Sequence, residues 1–106
     1  MQCRYTTRAL RDLEDIGEFI AADNPGRASS YLSELTAHCR KTAQSPTIRR
    51  IVAHLEGVPL RKALFGRYQI YYALLEDQGT VEGIEIVHIR HGSRLSPVFG
   101  ADGSIT

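Results

Sequence analysis

Seven basic or aromatic side chains in the second half of the chain have the chemistry to bind an anionic partner. They are Arg61, Lys62, Arg67, Tyr68, Arg90, His91 and Arg94. Arginine beside an aromatic ring can clamp the phosphates of RNA and stack on its bases. The same groups can receive an acidic, apolar peptide through ion pairs and strand or groove docking. A third interpretation is that they are solvated strand ends; it explains His91 and Arg94 less well, because uncharged polar residues would suffice at their turn.

The sequence contains no readable catalytic or metal-binding pattern. Its histidines are His38, His54, His88 and His91, and no Gly-x-Ser-x-Gly elbow accompanies them. Neither the last two histidines nor Cys39 with its neighbour His38 has the spacing of a zinc site. Walker and dinucleotide glycine patterns are also missing. We therefore expect neither a metal nor a cofactor.

Length and composition are those of one small globular domain. The chain has 106 residues, of which 42% are hydrophobic, enough for a single modest core. A net charge of +1 gives no global case for nucleic-acid binding. The charges are unevenly spread, however, with acidic residues crowding positions 12–23 and basic residues dominating positions 40–67. Such a basic region attracts an acidic partner or phosphates, although a solvated face is its commonest explanation.

The sequence carries no sign of a membrane or secretory destination. No apolar run approaches the roughly 20 residues that a membrane span needs, and the first residues lack the apolar core of a signal peptide. We therefore expect a cytoplasmic protein in which Cys3 and Cys39 remain thiols. Cys39 falls on the apolar face of a predicted helix, which favours a small buried hydrophobe.

The first half of the chain predicts a strand and two helices. Residues 2–6 alternate like a short edge strand, and Thr6 or Thr7 can cap the helix that follows. That helix ends near residue 22 and places an apolar stripe, with Phe19 beside it, toward the core. Its acidic residues, Asp12 among them, are expected mostly on the solvent side, which disfavours catalysis by paired carboxylates. Asn24 and Pro25 cap and begin a second helix that ends before residue 45, so the two helices form an antiparallel hairpin.

The second half predicts an antiparallel meander. Residues 47–57 are interpreted as a connecting segment, followed by strands at 58–64, 68–75 and 84–91 with a hairpin turn at 76–79. In the last strand, alternation places Ile84 and Ile86 on one face and Val87 and Ile89 on the other. The prediction is a two-layer α+β domain at 1–99, with an N-terminal strand and a helical hairpin on a three- to four-stranded antiparallel sheet. Residues 100–106 are expected to form a flexible tail.

Five stretches of the sequence resemble the RelE/ParE superfamily of type II toxin-antitoxin toxins, and most closely its ParE-like branch. The first two are Ala9-x-x-Asp12-Leu13-x-x-Ile16 with Phe19-Ile20-Ala21, and Asp23-Asn24-Pro25 followed by Ala28. The others are Pro59-Leu60-Arg61, Arg67-Tyr68-x-Ile70-x-Tyr72, and Ile86-x-x-Ile89-x-His91-Gly92-Ser93-Arg94. Together they cover nearly the whole chain in the family's order, short of the tail. The fold that this resemblance implies is the one predicted above.

The resemblance implies a toxin and leaves its target open. ParE-like toxins poison DNA gyrase, which arrests growth and underlies plasmid stabilisation, and this binding event requires no catalytic group. RelE-like toxins cleave messenger RNA in the ribosome, usually with a tyrosine near the carboxyl end, where this chain has Phe99. A third possibility is an inactive toxin that only binds its antitoxin. We therefore expect a gyrase poison that is not an enzyme, with the ribonuclease as the alternative.

The resemblance also implies a partner and a set of contact residues. A cognate antitoxin would wrap its acidic C-terminal segment around the toxin, and DNA binding would belong to the antitoxin and not to this chain alone. The expected contacts to antitoxin or target are Arg61, Arg67, Tyr68, Arg90, His91 and Arg94. If the chain is a nuclease, the catalytic candidates are Arg61, Arg67, His91 and Arg94, with His91 as the base.

Overall fold

The computed structural model describes residues 1–92, which form five strands and two helices. In chain order these are β1 (Gln2–Tyr5), α1 (Thr7–Ala21), α2 (Pro25–Gln44), β2 (Ile51–Leu55), β3 (Val58–Phe65), β4 (Tyr68–Asp77) and β5 (Thr80–His91). The strands form one sheet in the order β1-β5-β4-β3-β2. All neighbouring pairs are antiparallel except β1 and β5, which are parallel. The predicted tail at 100–106 lies outside the described residues.

The helical hairpin begins and ends where the capping residues predict. The Thr6 hydroxyl accepts a hydrogen bond from the backbone N–H of Ala9 at 3.1 Å, which caps α1. Asn24 caps α2 by accepting from the N–H of Arg27 at 3.1 Å, and Pro25 occupies the first turn. Gly17 allows the helices to approach closely, because a Cβ there would lie 2.9 Å from Leu32 Cδ1.

The main core lies between the helical hairpin and one face of the sheet, which confirms the two-layer α+β prediction. Its buried members come from both helices and from β3, β4 and β5; they are Ala9, Ile16, Leu35, Cys39, Ala43, Ala63, Ile70, Tyr72, Ile84, Ile86 and Ile89. Cys39 is fully buried, as predicted. Phe19 differs from the prediction, since its side chain is 76% exposed.

A β-bulge changes the predicted faces of β5. Tyr71 pairs with His88 and Tyr72 with Ile86, so Val87 is left as the extra residue of the bulge. The prediction that Val87 and Ile89 share a face is therefore wrong. Val87 packs with Leu60 and Ala73 in a second, smaller cluster, whereas Ile89 joins the main core. One extra residue shifts the alternation, and the sequence pattern alone does not reveal it.

Residues 51–55 form a strand, so the prediction of a plain connecting segment at 47–57 is wrong and the sheet has five strands. Strand β2 lies at the edge of the sheet and pairs with β3. Its side chains are only half-buried or exposed, so the alternation that marks a half-buried strand is weak. A two-residue turn at Glu56 and Gly57, with φ of 51° and 81°, closes the β2–β3 hairpin.

Strand β1 extends the sheet at its opposite edge, beside β5. Gln2 lies opposite Gly83, where an added Cβ would approach the Gln2 carbonyl oxygen to 2.1 Å. The backbone of β1 can therefore pair with β5 only because residue 83 has no side chain. The Thr6 hydroxyl also donates to the Val87 carbonyl at 3.0 Å, which links the start of α1 to β5. None of the described helices is long and apolar enough to cross a membrane.

Candidate functional site

A shallow cleft lies where the β3–β4 turn meets the end of β5. It has a volume of about 250 Å³ and is lined by Leu64, Gly66, Arg67, Gln69, His91 and Gly92. Gly66 makes the turn with φ of 56°, and the N–H of Gly92 donates to the Arg67 carbonyl at 2.6 Å. These backbone features hold residues 67 and 91 side by side, as the sequence predicted for the ends of two neighbouring strands.

Arg67 and His91 give the cleft its polar character. Arg67 is exposed and makes no ion pair with another described residue. His91 is half-buried, and its ring contacts Tyr68 edge to face with 5.4 Å between centroids. Leu64, 60% exposed, adds an apolar wall. The cleft therefore combines a cation, an imidazole and an apolar surface.

An aromatic row supports the cleft from the side of α2. Tyr31 contacts the rings of Phe65 and Tyr68 at centroid distances of 5.5 and 6.1 Å. The Arg27 guanidinium lies 5.2 Å from the Tyr31 ring centre. Burial raises the pKa of Tyr31, with a further increase from Tyr68 nearby. The Tyr31 ring therefore supports the Tyr68 ring, which in turn packs against His91.

On the other side of the cleft, Arg90 lies opposite Gln69 in the β4–β5 register. Its buried Nε makes no hydrogen bond within the described part of the chain. The Tyr71 hydroxyl donates to Gln69 Oε1 at 3.2 Å. Burial raises the pKa of Tyr71, and the positive charge of Arg90 opposes that increase. Arg90 therefore lies in register with Gln69, a residue that lines the cleft.

The structure does not bring all the predicted site residues together. Arg61 lies on β3 away from the cleft and donates to the carbonyls of Thr47, at 3.3 Å, and Arg49. This places Arg61 as a tether for the segment between α2 and β2. Lys62, on β3, lies opposite Tyr71 of β4. Arg94 lies outside the described residues, so its role stays a prediction.

Sequence reasoning missed a buried polar network centred on Asp12. The expectation that Asp12 lies on the solvent side of α1 is wrong, since its side chain is 8% exposed. Its Oδ2 accepts from His88 Nδ1 at 2.7 Å and from the N–H of Ile89 at 2.9 Å, and its Oδ1 pairs with Arg8 Nε at 3.2 Å. Asp12 therefore accepts a backbone hydrogen bond from the edge of β5, just beyond the point where β1 stops pairing with it.

The position of Asp12 on the helix indicates that its side chain is buried. It follows Ala9 by three residues and precedes Ile16 by four, so it falls on the buried stripe of α1. Its partner His88 stacks on Tyr71 with 6.3 Å between ring centroids. Since His88 is 5% exposed, the Asp12–His88 pair is positioned to hold the fold together and cannot meet a large substrate.

The remaining groups suit binding better than covalent chemistry. Burial raises the pKa of the Cys39 thiol to about 11, which keeps it protonated and poorly nucleophilic. Among residues 1–92, no group of three or more His, Cys, Asp or Glu side chains is arranged to hold a metal ion. The cleft, by contrast, can accept an anionic group at Arg67 and an apolar side chain at Leu64.

Comparisons with known proteins agree with this architecture. The family model of the ParE toxin of type II toxin-antitoxin systems (parDE) matches residues 3–96. A solved chain from the chromosomal ParDE TA system of P. aeruginosa superimposes with a TM-score of 0.67 at 14% identity, covering 86% of this chain and 95% of that chain. This structural match supports the fold alone. No curated protein matches the sequence significantly.

Proposed function

Because this chain belongs to the ParE family, the toxins of type II toxin-antitoxin systems, we propose that it poisons DNA gyrase and is neutralised by a cognate antitoxin. The observation that carries the proposal is the cleft, where an exposed Arg67 lies beside the half-buried His91. Cations at the edge of such a cleft bind acidic groups of another macromolecule, and this binding involves no chemical reaction. Gyrase inhibition by a bound protein needs only such contacts.

The antitoxin contact follows from the same cleft. An acidic and apolar C-terminal segment would place carboxylates at Arg67 and His91 and an apolar side chain against Leu64, which is 60% exposed. Arg90, whose Nε makes no hydrogen bond within the described residues, would supply a second cation. Antitoxin and target would then compete for one surface, which explains neutralisation by occupancy.

A ribosome-dependent ribonuclease is the second candidate, and the Tyr68–His91 pair favours it. Their ring centroids are 5.4 Å apart beside Arg67. In RNA cleavage the imidazole would take the proton of a 2′-hydroxyl, and the arginine would stabilise the charge that develops on the phosphate. This mechanism places the reacting phosphate in the cleft and the base on β5.

Two assays on the purified chain distinguish these functions. Supercoiling by gyrase is measured beside translation of a reporter messenger RNA on ribosomes. Inhibited supercoiling with intact RNA supports the gyrase poison, whereas cleaved RNA with normal supercoiling supports the nuclease. If neither activity occurs while the antitoxin still binds, the chain is an inactive toxin kept as a binding partner.

The Arg67→Ala variant tests the cleft in both assays. We expect it to lose most inhibition and to keep its fold, because an exposed turn arginine contributes little to stability. Arg11→Ala is the matched control, since Arg11 is an exposed arginine on α1. Equal loss of activity in both variants would mean that total positive charge matters and the cleft does not.

A further inference from the structure

Strand β2 is an open edge of the sheet with an unusual lack of protection. Its outer side pairs with no other described strand, and none of its five residues is acidic, lysine, arginine or proline. Proteins normally place such residues on an edge to prevent pairing with another chain. Besides the exposed His54, the strand exposes two apolar residues, Ile51 at 44% and Val52 at 40%, and Val58 at the start of β3 is 46% exposed. Ile48, 70% exposed, lies just before the strand.

The backbone groups of His54 point outward from this edge. In an antiparallel hairpin closed by two residues, the pair beside the turn exchanges both backbone hydrogen bonds and the next pair exchanges none. Leu55 and Val58 lie beside the turn, and His54 lies opposite Pro59, which has no N–H. The N–H and C=O of His54 therefore face away from β3. A register shift between Ile51 and Ala53 disturbs the start of the strand, so pairing would centre on His54.

The charges at the two ends of β2 complement each other. Arg50 precedes the strand and Glu56 follows it, and neither forms an ion pair with another described residue. Consider two copies of β2 that pair antiparallel with their His54 residues opposite each other. Arg50 of one chain then lies two residues from the position that faces Glu56 of the other chain. Long side chains bridge this diagonal. A parallel arrangement would instead place like charges together.

From these observations we propose that β2 is a homotypic interface, on which a second copy of this chain adds its own β2 antiparallel. Two hydrogen bonds between the His54 residues and two Arg50–Glu56 pairs hold the copies together. The cleft lies at the far end of β3 and remains accessible in this dimer. The assembly would thus present two binding clefts.

A charge exchange tests the interface in the full chain by sedimentation velocity over a range of concentrations. Arg50→Glu and Glu56→Arg each place like charges at both ends, so we expect each to raise the dimer dissociation constant roughly tenfold. An equimolar mixture of the two variants restores opposite charges and should dimerise as heterodimers at wild-type concentrations. Arg11→Glu, at an exposed position of α1, is the control and should dimerise like wild type.

A backbone variant tests the interface independently. His54→Pro removes the outward N–H and leaves the β2–β3 hydrogen bonds in place, so it should abolish dimerisation while the circular dichroism spectrum is retained. If this variant fails to fold, the mixing experiment decides alone. A monomeric wild type, or a dimer that none of these variants weakens, overturns the proposal. A monomer that loses antitoxin binding on His54→Pro also overturns it, because the antitoxin then occupies this edge.

Discussion

His88 and His91 lie three residues apart on the same strand and have opposite surroundings. His88 is 5% exposed, donates to the Asp12 carboxylate and stacks on Tyr71. His91 is half-buried beside the cleft, and its ring packs against the Tyr68 ring in a T-shaped arrangement. The first belongs to a saturated network under α1, and the second borders a surface on which a partner can bind.

The difference shows that residue type does not distinguish a stabilising polar group from a binding group. The Asp12 network satisfies its members internally, so its removal should reduce the free energy of unfolding. The cleft leaves Arg67 without an ion pair among the described residues, so its removal should reduce binding instead. Four variants test this division.

Asp12→Ala should have the largest effect. The substitution leaves His88 Nδ1 and the N–H of Ile89 buried without their acceptor. We expect the free energy of unfolding to fall by about 3 kcal/mol, measured by urea denaturation. Asp15→Ala, an exposed acid on the same helix, should change it by less than about 0.5 kcal/mol. If both variants lower the free energy of unfolding by similarly small amounts, the Asp12 network does not stabilise the fold.

Arg61→Ala should destabilise the protein by about 1.5 kcal/mol, because its guanidinium donates to two backbone carbonyls after α2. Antitoxin affinity, measured by calorimetry, should change little. Arg67→Ala should show the reverse pattern. If Arg61→Ala weakens binding as much as Arg67→Ala does at unchanged stability, Arg61 belongs to the binding surface after all.

His91→Ala should weaken antitoxin binding roughly tenfold, about 1.4 kcal/mol, with nearly unchanged stability. The side chain borders the cleft and is not part of the buried network. Affinity is measured by calorimetry and stability by denaturation of the free toxin. His91→Phe, which retains a ring against Tyr68, separates loss of packing from loss of the imidazole.

Arg8→Ala should have the smallest effect. Its Nε pairs with Asp12 Oδ1 at 3.2 Å, but the Arg8 side chain is 53% exposed. A half-solvated pair of this kind contributes about 0.5 kcal/mol. High salt should reduce the difference between wild type and variant in a denaturation experiment. A loss comparable with that of Asp12→Ala would show that Arg8 is essential to the network.

The sequence predicts the helical hairpin and the meander well because their signals are local. Asn24 and Pro25 determine where α2 begins, and the turn at Gln78 and Gly79 adopts positive φ of 51° and 82° as its hairpin requires. The family resemblance is confirmed over residues 3–96. Arg67, Tyr68 and His91 lie close together because adjacent antiparallel strands place their ends at one edge, and their contact with a partner stays a prediction.

The failures of prediction involve information that is not local. The sequence does not predict strand β2, because an edge strand buries too little of its surface to show alternation. The bulge at Val87 shifts the alternation of β5 by one residue, and no residue type in the sequence indicates it. Arg61 was grouped with the cleft because its partners, the carbonyls of Thr47 and Arg49, depend on how the chain returns from α2. Asp12 was assigned to solvent by its charge, although its helical position favours burial.

The parallel pairing of β1 with β5 also constrains how the protein can be made. Gln2 and Gly83 are partners separated by 81 positions, so β1 must wait for β5, which is synthesised later. The helical hairpin and β2–β4 can form from nearby residues, whereas closure of the sheet requires a long loop and is correspondingly slow. A nascent or truncated chain that ends before β5 lacks His91 and its cleft, so under the proposed function we expect it to be harmless to the cell that is synthesising it.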